Sequence, residues 1–258
     1  RAVAHEALKQ NIQVYHVPHS IATNLPPYPE TDVIQFVAGE CDVQYYERTV
    51  PRDRWWRWVK TGRPYLGNLA TQYKSKKASQ SGVRGEHGRL HVLLATQPFS
   101  TSVRKQFVET MLSSFSPDRF EVTVKTHPGE DAELYKDLRA EYENLRVVTT
   151  DLYEEIIESD LTVTINSNVG IESIIIGTPT VCFSAWEPFL FEPTYATAGE
   201  VPVFRSEAEF RTFVNQLDST KISQLRSTQQ AFVEDNYITD SNIPADIANY
   251  IESDAVDV

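Results

Sequence analysis

From Leu90 onward the chain alternates short apolar, β-branched runs with stretches whose apolar residues recur at helical spacing, which is the rhythm of βαβ units. His91 to Ala95 is the first such run, and Ser102 to Phe115 follows with Val103, Phe107, Val108, Met111 and Leu112 on one helical face. Phe120 to Lys125 predicts the next strand and Asp131 to Tyr142 the next helix. Arg146 to Thr149 predicts a third strand, after which Asp151 is placed to cap a helix through Ile157. Leu161 to Ile165 predicts a fourth strand leading to a helix from Gly170 to Ile176, which Gly177 and Pro179 terminate, and Pro179 to Phe183 gives a fifth. Four crossovers in succession predict an α/β fold, a parallel Rossmann-like sheet with helices on both faces. Helical patterns over Ser206 to Val214, Lys221 to Asp235 and Pro244 to Ile251 close it.

The first part of the chain reads differently. Gln13 to Val17, Val33 to Val37 and Arg57 to Lys60 have strand character, so residues 1–67 are expected to be the end of a preceding α/β half. Asn68 to Gly88 is polar, with Lys74, Lys76, Lys77 and the cluster Ser79-Gln80-Ser81-Gly82, and predicts a linker or mobile loop over 68–88. The carboxyl-terminal domain then spans 89–258.

Two polar motifs fall just past the ends of predicted strands: Lys125-Thr126-His127-Pro128-Gly129-Glu130 and Ile165-Asn166-Ser167-Asn168-Val169-Gly170-Ile171-Glu172. In a parallel sheet, ligands bind beyond the carboxyl ends of the strands, and a helix N-terminus there offers N–H groups to an anion. Ser167, Asn168 and Gly170 are therefore candidates to hold a phosphate, and Glu172 to accept hydrogen bonds from ribose hydroxyls. The competing reading is a plain helix cap with an acid matched to the dipole. His127, stopped by Pro128, is placed to bond or protonate a phosphate, with Lys125 on the same strand face and Thr96 and Gln97 after the first strand beside it. Val17-Pro18-His19-Ser20 is a third strand-end motif, which makes His19 a candidate general base across a cleft. His16 and His19, with Pro18 between them and no Asp or Cys nearby, do not make a metal pair. Trp186-Glu187-Pro188-Phe189 follows the fifth strand, where a nucleobase or acceptor could stack, whereas Trp55, Trp56 and Trp58 read as packing. Phosphate-loop, dinucleotide and nucleophile-elbow motifs are absent from the sequence.

Composition narrows the classes. A net charge of -12 argues against a broad nucleic-acid surface, which needs cations to displace counterions. No apolar run approaches the ~20 residues that span a bilayer, and Cys41 and Cys182 belong to no paired motif, so reduced thiols in a cytoplasm are expected.

Taken in order, Pro18-His19-Ser20, the joint Thr61-Gly62-Arg63-Pro64, His127-Pro128 and the stretch from Ser167 to Pro179 form a set. This set resembles the nucleotide-sugar enzymes of the GT-B fold, especially the surface-polysaccharide branch. That branch includes capsule polysaccharide transferases, polysialyltransferase-like enzymes and CDP-glycerol glycerophosphotransferases, and UDP-N-acetylglucosamine 2-epimerases are similar in shape. The resemblance implies that Ser167, Asn168 and His127 lie near phosphate, Glu172 near ribose and His19 at the cleft. It implies a metal-independent glycosyltransferase that uses a nucleotide-sugar donor, with no cofactor, to extend or modify a cell-surface polysaccharide. The implied partners are a glycan or lipid-linked acceptor and no nucleic acid. The implied location is the cytoplasm, at or near the inner face of the membrane, and a homodimer is compatible with it. Ser20 stands where the family usually has glycine, and Gly67 where its joint often has Asp. About sixty residues precede the joint, where a complete enzyme has a full half, so the chain reads as a piece of a larger protein. The alternatives are a 2-epimerase using carboxylates such as Asp32, Glu40 and Asp42, a CDP-glycerol-type transferase, and a non-catalytic nucleotide-sugar-binding module.

Overall fold

The computed structural model describes residues 2–18, 33–49, 57–79, 88–185, 193–197 and 199–256. Its first portion is a parallel sheet in the order β1 (Val14–His16), β2 (Val33–Val37), β3 (Arg57–Lys60), accompanied by α1 (Ala2–Lys9) and α2 (Glu40–Thr49). Helix α3 (Pro64–Ser79) leads into the larger portion.

That portion is built on β4 (Leu90–Ala95), β5 (Phe120–Lys125), β6 (Leu145–Val148), β7 (Leu161–Thr164), β8 (Thr180–Phe183) and β9 (Val203–Phe204). All six are parallel, in the order β6-β5-β4-β7-β8-β9. Helix α4 (Thr101–Ser114) follows β4. A 3₁₀ turn (Ala132–Tyr135) with α5 (Lys136–Glu141) follows β5, then come α6 (Leu152–Glu158) after β6 and α7 (Val169–Ile176) after β7. Next are α8 (Thr194–Thr197), α9 (Glu207–Asn215), α10 (Ser219–Asn236) and α11 (Ile243–Val256). The winding reverses between β4 and β7, so the crevice at their carboxyl ends is the topological switch point of a doubly wound sheet.

Strands β4, β7 and β8 are buried at every residue, as strands covered on both faces must be. His91, a polar residue in the middle of the buried sheet, is satisfied internally: one ring nitrogen meets the Thr123 hydroxyl at 2.7 Å and the other the Glu158 carbonyl at 3.1 Å. One face of the sheet carries a run of edge-to-face aromatic contacts, with ring centroids 5.0 Å apart for Phe115 and Phe120 and 5.4 Å for Phe183 and Phe210. The other face is covered by Leu66 and Leu69 of α3, Ile171, Ile174 and Ile175 of α7 and Phe232 of α10.

The expected linker is corrected over its first part. Residues 68–79 belong to α3, because Leu66, Leu69, Ala70 and Tyr73 recur at one-face helical spacing and pack into the core. The lysines that made the stretch look like a solvated loop hold it down. Lys77 donates to the carbonyls of Ile157 and Ser159 at 2.7 and 2.5 Å, and Lys76 pairs with Glu154 at 2.8 Å. Residues 80–87 lie outside the described residues.

The end of the chain returns to the first sheet. Ile243 and Ile247 of α11 pack on Phe36, and Asp254 accepts from the Tyr15 hydroxyl and pairs with Arg57 at 2.9 and 2.7 Å. The segment between α10 and α11 crosses the joint at close range. Ile238 donates to the Ala38 carbonyl, and a Cβ at Gly67 would stand 2.2 Å from the Asp240 carbonyl oxygen. The glycine at the joint is therefore a packing requirement. Beside it, Arg63 and Asp42 form a fully buried ion pair at 2.7 Å, and the second Asp42 oxygen accepts from Thr194.

Candidate functional site

The switch-point crevice is floored by a reciprocal amide pair. Gln97, after β4, donates to the Asn166 side chain at 2.7 Å and accepts from the Asn166 backbone N–H at 3.0 Å, tying the ends of β4 and β7 together. Thr96 is buried, and its hydroxyl lies 2.8 Å from Glu130 and 3.2 Å from the Lys125 carbonyl while accepting the His127 backbone N–H at 3.3 Å. Lys125 is also largely buried, and its ammonium caps the strand end on the Thr126 carbonyl at 2.8 Å.

His127 itself is exposed at the sheet edge. The turn it opens is closed by Glu130 N–H donating to the His127 carbonyl at 2.8 Å, with Pro128 at the position whose φ proline presets. Gly129 N–H donates to His127 Nδ1 at 3.1 Å. A nitrogen that accepts carries no proton in the neutral ring, so Nε2 bears the hydrogen and is the donor left for a ligand.

At the end of β7, Ser167 organises the start of α7: its hydroxyl accepts from Val169 N–H at 3.2 Å and its carbonyl from Gly170 N–H at 3.0 Å. The Tyr195 hydroxyl makes a short bond to the same carbonyl. A Cβ at Gly170 would fall 2.3 Å from that hydroxyl, so the glycine makes room for Tyr195. Asn168 is the N-cap residue, and its side chain makes no capping bond.

Glu172 is in the first turn of α7, 8% exposed, and burial pushes its carboxyl up to about 7. Among the described residues its carboxyl has no hydrogen-bond partner, although a buried acid ordinarily finds one. Tyr65 of α3 and Tyr153 of α6 face it. Both phenols are pushed up, first by burial and then by the Glu172 charge, Tyr153 to about 12. Tyr73 packs against Tyr153 with the rings tilted by 37° and their centroids 5.1 Å apart. Gly177, at the end of α7, abuts the Lys77 stem near the end of α3, and Lys77 reaches the last carbonyls of α6. The three helices thus run the same way, and their positive N-terminal ends gather at the edge where His127 and Glu172 lie.

The structure brings Thr96, Gln97, Lys125, His127, Ser167, Asn168, Gly170 and Glu172 to one edge. His19, with Ser20, Asp32, Trp55, Trp56 and Trp186 to Phe189, lies outside the described residues. The reading from sequence missed Glu130 as a buried acceptor and Tyr65 and Tyr153 as walls. Their spacing carries no signal, since each reaches the site from a different element.

No family model matches the sequence, and no curated protein matches it. Among solved structures, MurG from Acinetobacter baumannii aligns over 97% of this chain and 69% of its own, with a TM-score of 0.63 at 11% identity. A protein assigned as a UDP-N-acetylglucosamine 2-epimerase from Listeria monocytogenes aligns over 100% and 72%, with a TM-score of 0.61 at 16% identity. The chain has the GT-B fold. The wall teichoic acid polymerase TagF, in a crystal soaked with CDPG, aligns over 86% of this chain at 15% identity with a TM-score of 0.50. The chain spans 56% of that TagF chain, less than two thirds of its length. At these identities the likenesses define the GT-B fold and nothing finer. No helix among the described residues is long and apolar enough to cross a membrane.

Proposed function

We propose that this chain forms the donor-binding part of a metal-independent GT-B glycosyltransferase. In this reading the enzyme moves a sugar, or a sugar-like group, from a nucleotide donor onto a cell-surface polysaccharide, working on the cytoplasmic side of a membrane and needing no cofactor beyond the donor. The observation that carries the reading is a buried carboxyl, Glu172, with no hydrogen-bond partner among the described residues, at the same edge as His127, whose Nε2–H is left to donate. A nucleoside diphosphate supplies what both groups lack. Its ribose hydroxyls are donors for Glu172, and its phosphates are acceptors for His127 Nε2–H and for the α7 terminus. In transfer, the glycosidic bond to phosphate breaks and negative charge grows on the leaving diphosphate, where fixed donors stabilise it most. His19, outside the described residues, is the proposed base for the acceptor hydroxyl.

Calorimetric titration of the chain with CMP, CDP, UDP and GDP, alongside His127→Ala and Ser167→Ala, tests the donor site. One nucleotide should bind, and both substitutions should weaken it. Binding of none, or binding untouched by either substitution, overturns the assignment. In the complete enzyme, His127→Ala should abolish turnover.

The Listeria likeness supports a second reading, a 2-epimerase acting in the same cleft. The two candidate carboxylates among the described residues are poorly placed for proton abstraction: Asp42 is sealed by Arg63, Thr194 and the Ala38 N–H, and Glu40 is held ionised by its bond to Lys60. Release of free sugar and UDP without acceptor would favour it.

A further inference from the structure

Behind the His127 turn lies a second carboxylate that the donor site does not itself use. The Glu130 side chain is 1% exposed, and three elements converge on its Oε2. The Thr96 hydroxyl, past the end of β4, donates at 2.8 Å, the Tyr135 hydroxyl of the 3₁₀ turn at 3.3 Å, and the Arg104 guanidinium of α4 stands at 3.5 Å. Burial, and then the Glu130 charge, push the Tyr135 phenol up, so it remains a donor. Oε1 is buried with no hydrogen-bond partner among the described residues, which hold the carboxylate from one side.

An ionised carboxylate can only accept. With Glu130 beside it, the Thr96 hydroxyl points its hydrogen away from His127 and turns a lone pair to the His127 N–H, which donates to it at 3.3 Å. Glu130 also closes the turn through its own N–H on the His127 carbonyl at 2.8 Å. The carboxylate is thereby the end of a chain of donors that runs from the His127 N–H into Thr96 and from Thr96 into Glu130, with Arg104 of α4 facing the same oxygen. Without a carboxylate at position 130 the Thr96 hydroxyl keeps only the longer contact to the Lys125 carbonyl, at 3.2 Å, as its acceptor, and Arg104 loses its counter-charge.

We propose that Glu130 is a positioning residue, which holds His127 at the ligand edge by orienting Thr96. The proposal rests on the reading of His127 as the phosphate donor, and adds the device that fixes its place. It predicts that removing the carboxylate acts on the ligand only while His127 is present.

Two measurements test it. In the free protein, amide hydrogen exchange at His127 should quicken about tenfold in Glu130→Ala and in Thr96→Val, a change worth about 1.4 kcal/mol of local opening, while amides of β4 keep their protection. An unchanged His127 amide in Thr96→Val, or equal loss of protection along β4 in both variants, overturns the proposal. Thr96→Val keeps the test open if Glu130→Ala does not fold. In the titration with the nucleotide that binds, Glu130→Ala should weaken affinity about 5- to 10-fold in the otherwise unchanged chain and less than about 2-fold in a His127→Ala background. Equal weakening in both backgrounds also overturns it, because the carboxylate would then act on fold or ligand without His127. If the unaltered chain binds no nucleotide, the donor-site reading fails, and the exchange measurement alone decides the role of Glu130.

Discussion

Replacing Glu172 by glutamine is expected to stabilise the folded chain at pH 8 and to do much less at pH 5. The cause is burial: the folded carboxyl is pushed from the ordinary 4.5 up to about 7. The sign follows from which state holds the proton. Below pH 4.5 both states are protonated, and the group does not disfavour folding. Between pH 4.5 and 7 the unfolded chain releases its proton while the folded chain keeps it, so stability falls as pH rises and levels off above the folded value. The glutamine variant has no such loss. Its advantage over the parent chain should grow from about 1 kcal/mol at pH 5 to about 3 kcal/mol at pH 8. Urea unfolding of both proteins at a series of pH values measures it, and every other titrating group cancels in the difference. A pH-independent offset between the two, or an advantage that shrinks as pH rises, would refute the argument and place a partner on Glu172. A residue that costs the fold this much at neutral pH is one that a ligand is expected to use.

The same carboxyl should make donor affinity rise about tenfold between pH 6 and 8, because the free chain gives up a proton before ribose can bond to it; Glu172→Gln should flatten that part of the profile, and a titration with a nucleotide sugar, whose phosphates do not titrate there, reads it. Gly67→Ala should destabilise by about 1–3 kcal/mol, since its Cβ would stand 2.2 Å from the Asp240 carbonyl; thermal unfolding checks this, and an unchanged midpoint would mean that the crossing segment moves freely. Asp42→Asn should cost about 3–5 kcal/mol by leaving the fully buried Arg63 guanidinium without its counter-charge; replacing both partners by apolar residues of similar volume should cost much less, a contrast that denaturant unfolding resolves.

The larger sheet was legible because buried parallel strands leave an unmistakable pattern. Runs such as His91 to Ala95 and Leu161 to Ile165, punctuated by helices ending at residues such as Gly177, contain their own start and stop signals. Helix α3 was not, because the surface lysines dominated a stretch whose apolar face, Leu66, Leu69, Ala70 and Tyr73, is narrow. The short strand β9 escaped as well: two residues have no period, and only the neighbouring β8 makes a strand of them.

By itself, the sequence determined which strands end in polar motifs, and hence that Thr96, Gln97, His127 and Ser167 to Glu172 would meet at one edge of a parallel sheet. That follows from local pattern and from the handedness of crossovers, which are properties of short segments. Only the tertiary structure decided what those side chains are able to do. Gln97 is spent on Asn166, Thr96 on Glu130 and His127, and Gly170 on making room for Tyr195. Glu172 is buried, without a partner among the described residues, near tyrosines from two other helices. Burial, and the presence or absence of a partner across distant elements, set the proton and hydrogen-bond state of each group. Those quantities come from the packed fold and from no single segment of the chain.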